Sequence, residues 1–222
     1  MSYNIAIDGP AGAGKSTIAK QVAKNLDFIY VDTGAMYRAI ALYLLRNHVE
    51  AEEDEKISHF AKSVNVELSY INGEQQVILN GENVSGFIRT EEVGKMASIA
   101  AKNKDVRIQL LDLQRNLAKK ENVIMDGRDI GTHVLPDADL KIYLTASSGV
   151  RANRRYKELQ NKGIECCIEE IERDIIARDK QDMERKIAPL KQAEDALLLD
   201  SSDMTIEEVV NKITVLFHEN CK

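Results

Sequence analysis

Gly9-Pro10-Ala11-Gly12-Ala13-Gly14-Lys15-Ser16 is the stretch of this 222-residue sequence whose residue types and spacing most clearly imply chemistry. It follows the pattern glycine, four residues, glycine, lysine, hydroxyl. Such glycines let backbone N–H groups turn inward around phosphate oxygens, and a helix starting there adds its positive end. Lys15 would reach the β- and γ-phosphates of a nucleotide, and the Ser16 hydroxyl could ligate Mg²⁺. With Thr17, these residues form the expected nucleotide-phosphate cradle. The loop only grips phosphates, so it does not by itself separate kinases from GTPases or ATP-driven machines.

Other residues narrow the choice. A guanine-reading Asn-Lys-x-Asp segment is absent from the sequence: Asn103-Lys104-Asp105 lacks the spacing and falls within a helical pattern. A motor would need an acidic strand end built for water activation, whereas residues 123–126 run into Gly127-Arg128-Asp129. Phosphoryl transfer to a phosphorylated acceptor needs cations for two sets of phosphates, and arginine is planar, bidentate and always charged. Asp32-Thr33-Gly34-Ala35-Met36-Tyr37-Arg38 opens a helix at a strand's carboxyl end, where open α/β sheets bind ligands. An acceptor phosphate is expected at Arg38 and Arg128.

Arg151, Arg154 and Arg155 fall at i, i+3 and i+4 of one helical pattern and could present a basic face that closes over ATP phosphates. Lys15, Arg128 and these three arginines are the residues expected to act on the transferring phosphoryl group. Arg178, Asp182 and Arg185 share a second helical face, which suits either a surface ion-pair ladder or a ribose and base clamp. His48, His59, His133 and His218 show no metal-ligand spacing and are left without a role.

The elements that must position these residues follow from periodicity. Residues 3–7 read as a strand and 16–26 as a helix, residues 28–31 as a second strand and 36–47 as a second helix. That rhythm predicts a parallel sheet. Residues 64–84 interrupt it with short β-type pieces around Asn72-Gly73 and Asn80-Gly81, both hairpin dipeptides, and predict a small antiparallel insertion. Residues 91–120 read as helical, residues 123–126, 140–144 and 197–199 as strands, and 149–182 as a long charged helical stretch broken at 161–163. Five parallel strands in a single α/β domain are expected: core 1–35, 105–148 and 186–222, insertion about 36–104, and an Arg-rich helical lid about 149–185.

Composition agrees with a globular chain, at 44% hydrophobic and 30% charged residues. The net charge of −6 argues against a general nucleic-acid binder. Three cysteines form neither a disulfide framework nor a metal spacing. No basic n-region opens the sequence and no run of about 18 apolar residues occurs, so no membrane association and a cytoplasmic location are expected. Without a long heptad seam, a monomer is the expected state.

In the order of its motifs the sequence resembles bacterial cytidylate kinases. The matching residues are Ile7-Asp8-Gly9-Pro10, Asp32-Thr33-Gly34-Ala35-Met36-Tyr37-Arg38, Asp126-Gly127-Arg128-Asp129-Ile130-Gly131-Thr132, Ala188-Pro189-Leu190, and Val84-Ser85-Gly86 with Ile88-Arg89-Thr90. The resemblance implies a P-loop kinase fold with a monophosphate-binding insertion and a lid. It also implies transfer from ATP to CMP or dCMP with Mg²⁺. Residue by residue, it places Ser98, Arg107 and Asp129 at the cytosine edge, and Arg178, Asp182 and Arg185 around ribose and base. Arg38 and Arg128 fall on the acceptor phosphate, alongside Asp32, Thr33 and Tyr37, with Thr33 standing where the family often has Ser. A small P-loop kinase with another monophosphate or a hydroxyl acceptor such as shikimate or gluconate stays open, as does a regulatory module that holds ATP without turnover.

Overall fold

The computed structural model describes residues 2–221. Its elements, in chain order, are β1 (Asn4–Asp8), α1 (Lys15–Leu26), β2 (Ile29–Asp32), α2 (Thr33–Arg46), α3 (Asp54–Ser63), β3 (Val66–Ile71), β4 (Glu74–Leu79), β5 (Glu82–Asn83), α4 (Glu91–Ala100) and α5 (Lys104–Lys120). There follow β6 (Val123–Gly127), a π-helical turn (Ile130–Val134), β7 (Leu140–Thr145), α6 (Ser148–Asn161), α7 (Ile168–Glu184), β8 (Leu197–Asp200) and α8 (Ile206–Asn220). The expected α/β architecture is present: a five-stranded parallel sheet in the order β2-β6-β1-β7-β8 and a separate three-stranded sheet, β3-β4-β5. The chain divides into two compact units, one of Ile29–Glu121 with Ser2, the other of Tyr3–Phe28 and residues 122–221.

In the second unit, β1 pairs in parallel with β6 on one side and β7 on the other, and β7 pairs with β8. Ile5, Ile7, Ile124, Met125 and Ile142 are fully buried, the near-continuous apolar strand pattern of a sheet covered on both faces. α1 packs on β1 and β6 and against α8. β1 stops at Asp8 because Gly9 takes φ +150°, and a Cβ there would lie 1.9 Å from the Leu144 carbonyl oxygen of β7. Only glycine lets the chain turn so close to the neighbouring strand.

In the Ile29–Glu121 unit, β3, β4 and β5 form the expected antiparallel insertion. Asn72 and Gly73, and again Asn80 and Gly81, all have left-handed backbone, as tight hairpin turns of the primed type require. Gln75 at the start of β4 accepts from the Asp32 N–H at 2.8 Å and donates to the Asp32 carbonyl at 3.2 Å. One side-chain amide thus stands in for a strand partner and fixes the end of β2.

The structure differs from the sequence expectation at residues 91–120, 54–63 and 206–220. The helix expected over 91–120 is two helices, and Asn103 does not lie inside either. Its Oδ1 caps α5 by accepting from the Asp105 and Val106 N–H groups, while its Nδ2 donates to Asp54 Oδ1 and Ser58 Oγ. Asn competes with the helical ladder through exactly such local bonds. α2 starts at Thr33, where the Asp32–Arg38 motif was expected to open a helix and ahead of the apolar spacing over 36–47: the Asp32 carboxylate accepts from the Ala35 N–H at 2.9 Å and supplies the N-cap. α3 and α8 were not expected. α8 carries a full capping box between Thr205 and Glu208, a signal present in the sequence.

Candidate active site

In the phosphate-loop unit, the glycines and the start of α1 leave Lys15 buried, with Nζ donating to the Pro10 carbonyl at 2.7 Å. Burial, reinforced by the Arg128 guanidinium and opposed by Asp126, Asp8 and Asp182, lowers the Lys15 ammonium pKa to about 7. Ser16 Oγ donates to Asp126 Oδ2 at 2.9 Å, joining the first turn of α1 to β6. Thr17 follows on the exposed side of α1. Hydroxyl and carboxylate oxygens are the hard donors Mg²⁺ takes, together with substrate phosphates and water. No cluster of three or more metal-ligating side chains occurs among the described residues. The pair Ser16 and Asp126 therefore fits an ion held largely by phosphate. Asp126 was not singled out for the metal in the sequence; its signal is an acidic residue ending a buried apolar strand.

Asp8, at the end of β1, accepts from the Ile130 and Gly131 N–H groups at 2.8 and 2.7 Å. Its burial raises the carboxyl pKa to about 6 against the lowering effect of those two bonds. Asp8 thereby ties the strand that leads into the loop to the segment carrying Arg128 and Asp129. Lys141 supports the same turn from below: its aliphatic chain lies against Gly131, and its Nζ is paired with Asp195.

Two ion pairs organise the Arg128–Asp129 segment. Arg128 Nε meets Asp182 Oδ2 at 2.8 Å, and Arg185 Nη2 meets Asp129 Oδ1 at 2.9 Å, the latter side chains being 5% and 7% exposed. Asp182 lies in the last turn of α7 and Arg185 is its C-cap, while Arg178 is half-buried one turn before Asp182. The structure thus brings Arg128, Asp129, Asp182 and Arg185 together with the phosphate loop within one unit.

The three arginines of α6 diverge. Arg151 is buried and hydrogen-bonded to Ala11, Ala146 and Asp179. Arg154 donates to the Ser201 carbonyl at 2.8 Å. Arg155 makes an exposed pair with Glu158 at 2.9 Å. Residues spaced i, i+3 and i+4 share a helix face only broadly, and here each meets a different neighbour.

In the Ile29–Glu121 unit, Asp32 is bonded to Arg89 at 3.2 Å as well as to the backbone of α2. Thr33 is buried behind it, and the Arg38 Nη1 lies 3.2 Å from where a Cβ on Gly34 would be, so the guanidinium folds back over the helix start. The Arg107 guanidinium sits 5.6 Å from the centre of the Tyr37 ring, a cation–π contact, and donates to the Ala101 carbonyl. Ser98 on α4 donates to the Gly94 carbonyl. Tyr37 with Arg107, and Asp32 with Arg89, are two of the pairs formed here. Gln75, which holds Asp32 together with Arg89, carries no motif that would single it out, whereas Arg89 lies in the Ile88-Arg89-Thr90 motif but was given no role from the sequence.

A family model described as cytidylate kinase matches residues 5–219. The cytidylate kinase of Caldicellulosiruptor saccharolyticus is 50% identical over 216 residues, covering 97% of this chain and 96% of its own. That of Thermosipho melanesiensis is 50% identical over 222 residues, covering 100% of both. The solved structure of an uncharacterized protein from Eubacterium ventriosum matches with a TM-score of 0.56 at 13% identity over 99% of each chain, a likeness of fold. With the family model spanning almost the whole sequence and relatives half identical along their full length, this chain belongs to the cytidylate kinase family.

Proposed function

We propose that the protein transfers the γ-phosphoryl group of ATP directly to CMP or dCMP, giving ADP and CDP or dCDP. The observation that carries this reading is the phosphate loop with Lys15, Ser16 and Asp126 in one unit with the paired Arg128–Asp182 and Asp129–Arg185. Family membership supports cytidine as the acceptor base.

Lys15 leaves the Pro10 carbonyl to meet the β- and γ-phosphates, which favour its charged form. Ser16 and Asp126 would hold Mg²⁺, which when bound neutralises developing phosphate charge. Arg154 and Arg155 are assigned to the ATP phosphates, and Arg38 and Arg128 to the acceptor phosphate, with Asp32, Thr33 and Tyr37 shaping that site. Ser98, Arg107 and Asp129 read the cytosine edge; Arg178, Asp182 and Arg185 order the ribose and base. The chain works as a single kinase domain and a monomer in the cytoplasm, without nucleic acid or membrane. No helix of the described residues is long and apolar enough to cross a membrane.

Cytosine presents an amino donor beside two acceptors, and a carboxylate or hydroxyl with an arginine complements it. Uracil replaces that donor by an acceptor, which costs about 1–3 kcal/mol against a buried carboxylate. ADP release with Mg-ATP should therefore show kcat/KM for CMP or dCMP about 5- to 150-fold above UMP. AMP, GMP, shikimate and gluconate should be poorer still. Equal CMP and UMP values would remove the base-reading assignment. Faster turnover of a hydroxyl acceptor would replace the substrate, and ATP binding without any turnover would favour a regulatory module.

A further inference from the structure

Arg151, in the first turn of α6, and Asp179, on α7, form an ion pair of 2.6 Å with side chains 7% and 10% exposed. Both grip the same residue of the phosphate loop, Ala11, on the two peptides that flank its Cα. Arg151 Nη1 donates to the Ala11 carbonyl at 2.8 Å, and the Ala11 N–H donates to Asp179 Oδ1 at 3.2 Å. Arg151 Nε is committed to the Ala146 carbonyl at 2.9 Å. A Cβ on Gly12 would touch Arg151 Cβ at 3.4 Å, so the arginine stem lies directly against the loop backbone.

The consequence lies in which way the loop's N–H groups point. A loop that cradles phosphates must turn successive N–H groups inward, and glycine-rich backbone does not hold that shape unaided. Ala11 has both its backbone groups held by charged side chains from two different helices, which sets the orientation of the peptides that follow it. The pair is buried, so its bonds are strong, and either charge left alone would be costly.

We propose that Arg151 and Asp179 are positioning residues that clamp Ala11 and so pre-shape the phosphate loop, and that Arg151 serves the reaction through this residue's backbone rather than by touching the transferring phosphoryl group. The proposal rests on the kinase reading, in which the loop binds the ATP phosphates. The clamp belongs to a row along α7: Asp179 holds the loop, and Asp182 one turn on holds Arg128. The helix that bears on Arg128 is thus anchored on the donor loop.

The test is ATP affinity, measured by calorimetry without any acceptor, on the full chain and its variants, alongside kcat and the KM for CMP. Asp179→Asn keeps an oxygen for the Ala11 N–H and should stay within about 5-fold of wild-type affinity, whereas Asp179→Leu should weaken ATP binding about 30-fold. The double variant R151M/D179L leaves no lone buried charge and should fold. Its ATP affinity should match that of Asp179→Leu, because the two residues are paired with each other and act through the backbone of Ala11. Arg151→Met that keeps ATP affinity but loses kcat 100-fold would overturn the proposal and make Arg151 a catalytic residue. Equal loss in Asp179→Asn and Asp179→Leu, or fully additive losses in the double variant, would also overturn it. Wild type that binds ATP but does not turn over CMP would refute the kinase reading while leaving the affinity comparison decisive; wild type that does not bind ATP would refute both.

Discussion

Lys15→Met is expected to lower kcat/KM by about three orders of magnitude, the scale of losing a charged donor to the transition-state phosphates. It should do so without loss of stability. Lys15 is buried, and its ammonium pKa is lowered to about 7 by that burial and by Arg128. Between about pH 7 and the ordinary lysine value the unfolded chain holds this proton more tightly than the folded one, so this contribution to stability rises with pH across that window and is least at and below pH 7. Methionine has no proton to lose, so the variant should equal or exceed wild type in melting temperature at pH 7 and gain less on going to pH 9. ATP restores the charged form of Lys15, and wild type should therefore take up about one proton on binding ATP at pH 8. Calorimetry in buffers of different ionisation enthalpy measures that uptake, and Lys15→Met should abolish it.

Arg128→Met is expected to cost about 10²- to 10³-fold in kcat/KM for CMP, with a smaller effect on ATP affinity. Arg128 is assigned to the acceptor phosphate and is held by Asp182 at 2.8 Å. Its removal leaves the Asp182 carboxylate without this partner, so part of any stability loss belongs to Asp182 rather than to catalysis. The pair of variants Arg128→Met and R128M/D182L separates the two: melting temperature should recover in the double variant while activity should not. Because Arg128 also helps to lower the Lys15 pKa, Arg128→Met should move the proton uptake on ATP binding toward higher pH. A kcat/KM within 5-fold of wild type would remove Arg128 from the acceptor-phosphate site.

The phosphate loop was legible because pattern and context coincide: an apolar strand ends at Asp8, glycines follow, and a helix begins at Lys15. The parallel strands were legible as short apolar runs, and the hairpins through Asn72-Gly73 and Asn80-Gly81, whose left-handed backbone the sequence specifies directly. What was not legible depends on distant partners. Nothing local marks Gln75 as the residue that completes the backbone bonds of Asp32, or Asp179 as the partner of Arg151. Helical spacing grouped Arg151, Arg154 and Arg155, yet tertiary contacts send them to Ala11 and Asp179, to Ser201, and to Glu158. The break at Asn103 could have been read from the capping preference of Asn, but the apolar period on either side runs through it.

The central claim is direct transfer of the γ-phosphoryl group to a cytidine monophosphate, and the fate of that group tests it most directly. ATP labelled in its γ-phosphate, incubated with Mg²⁺, CMP and the protein, should give label in the β-phosphate of CDP and one ADP for each CDP formed. Label released as inorganic phosphate, retained on the protein, or absent from CDP while ADP accumulates would contradict it.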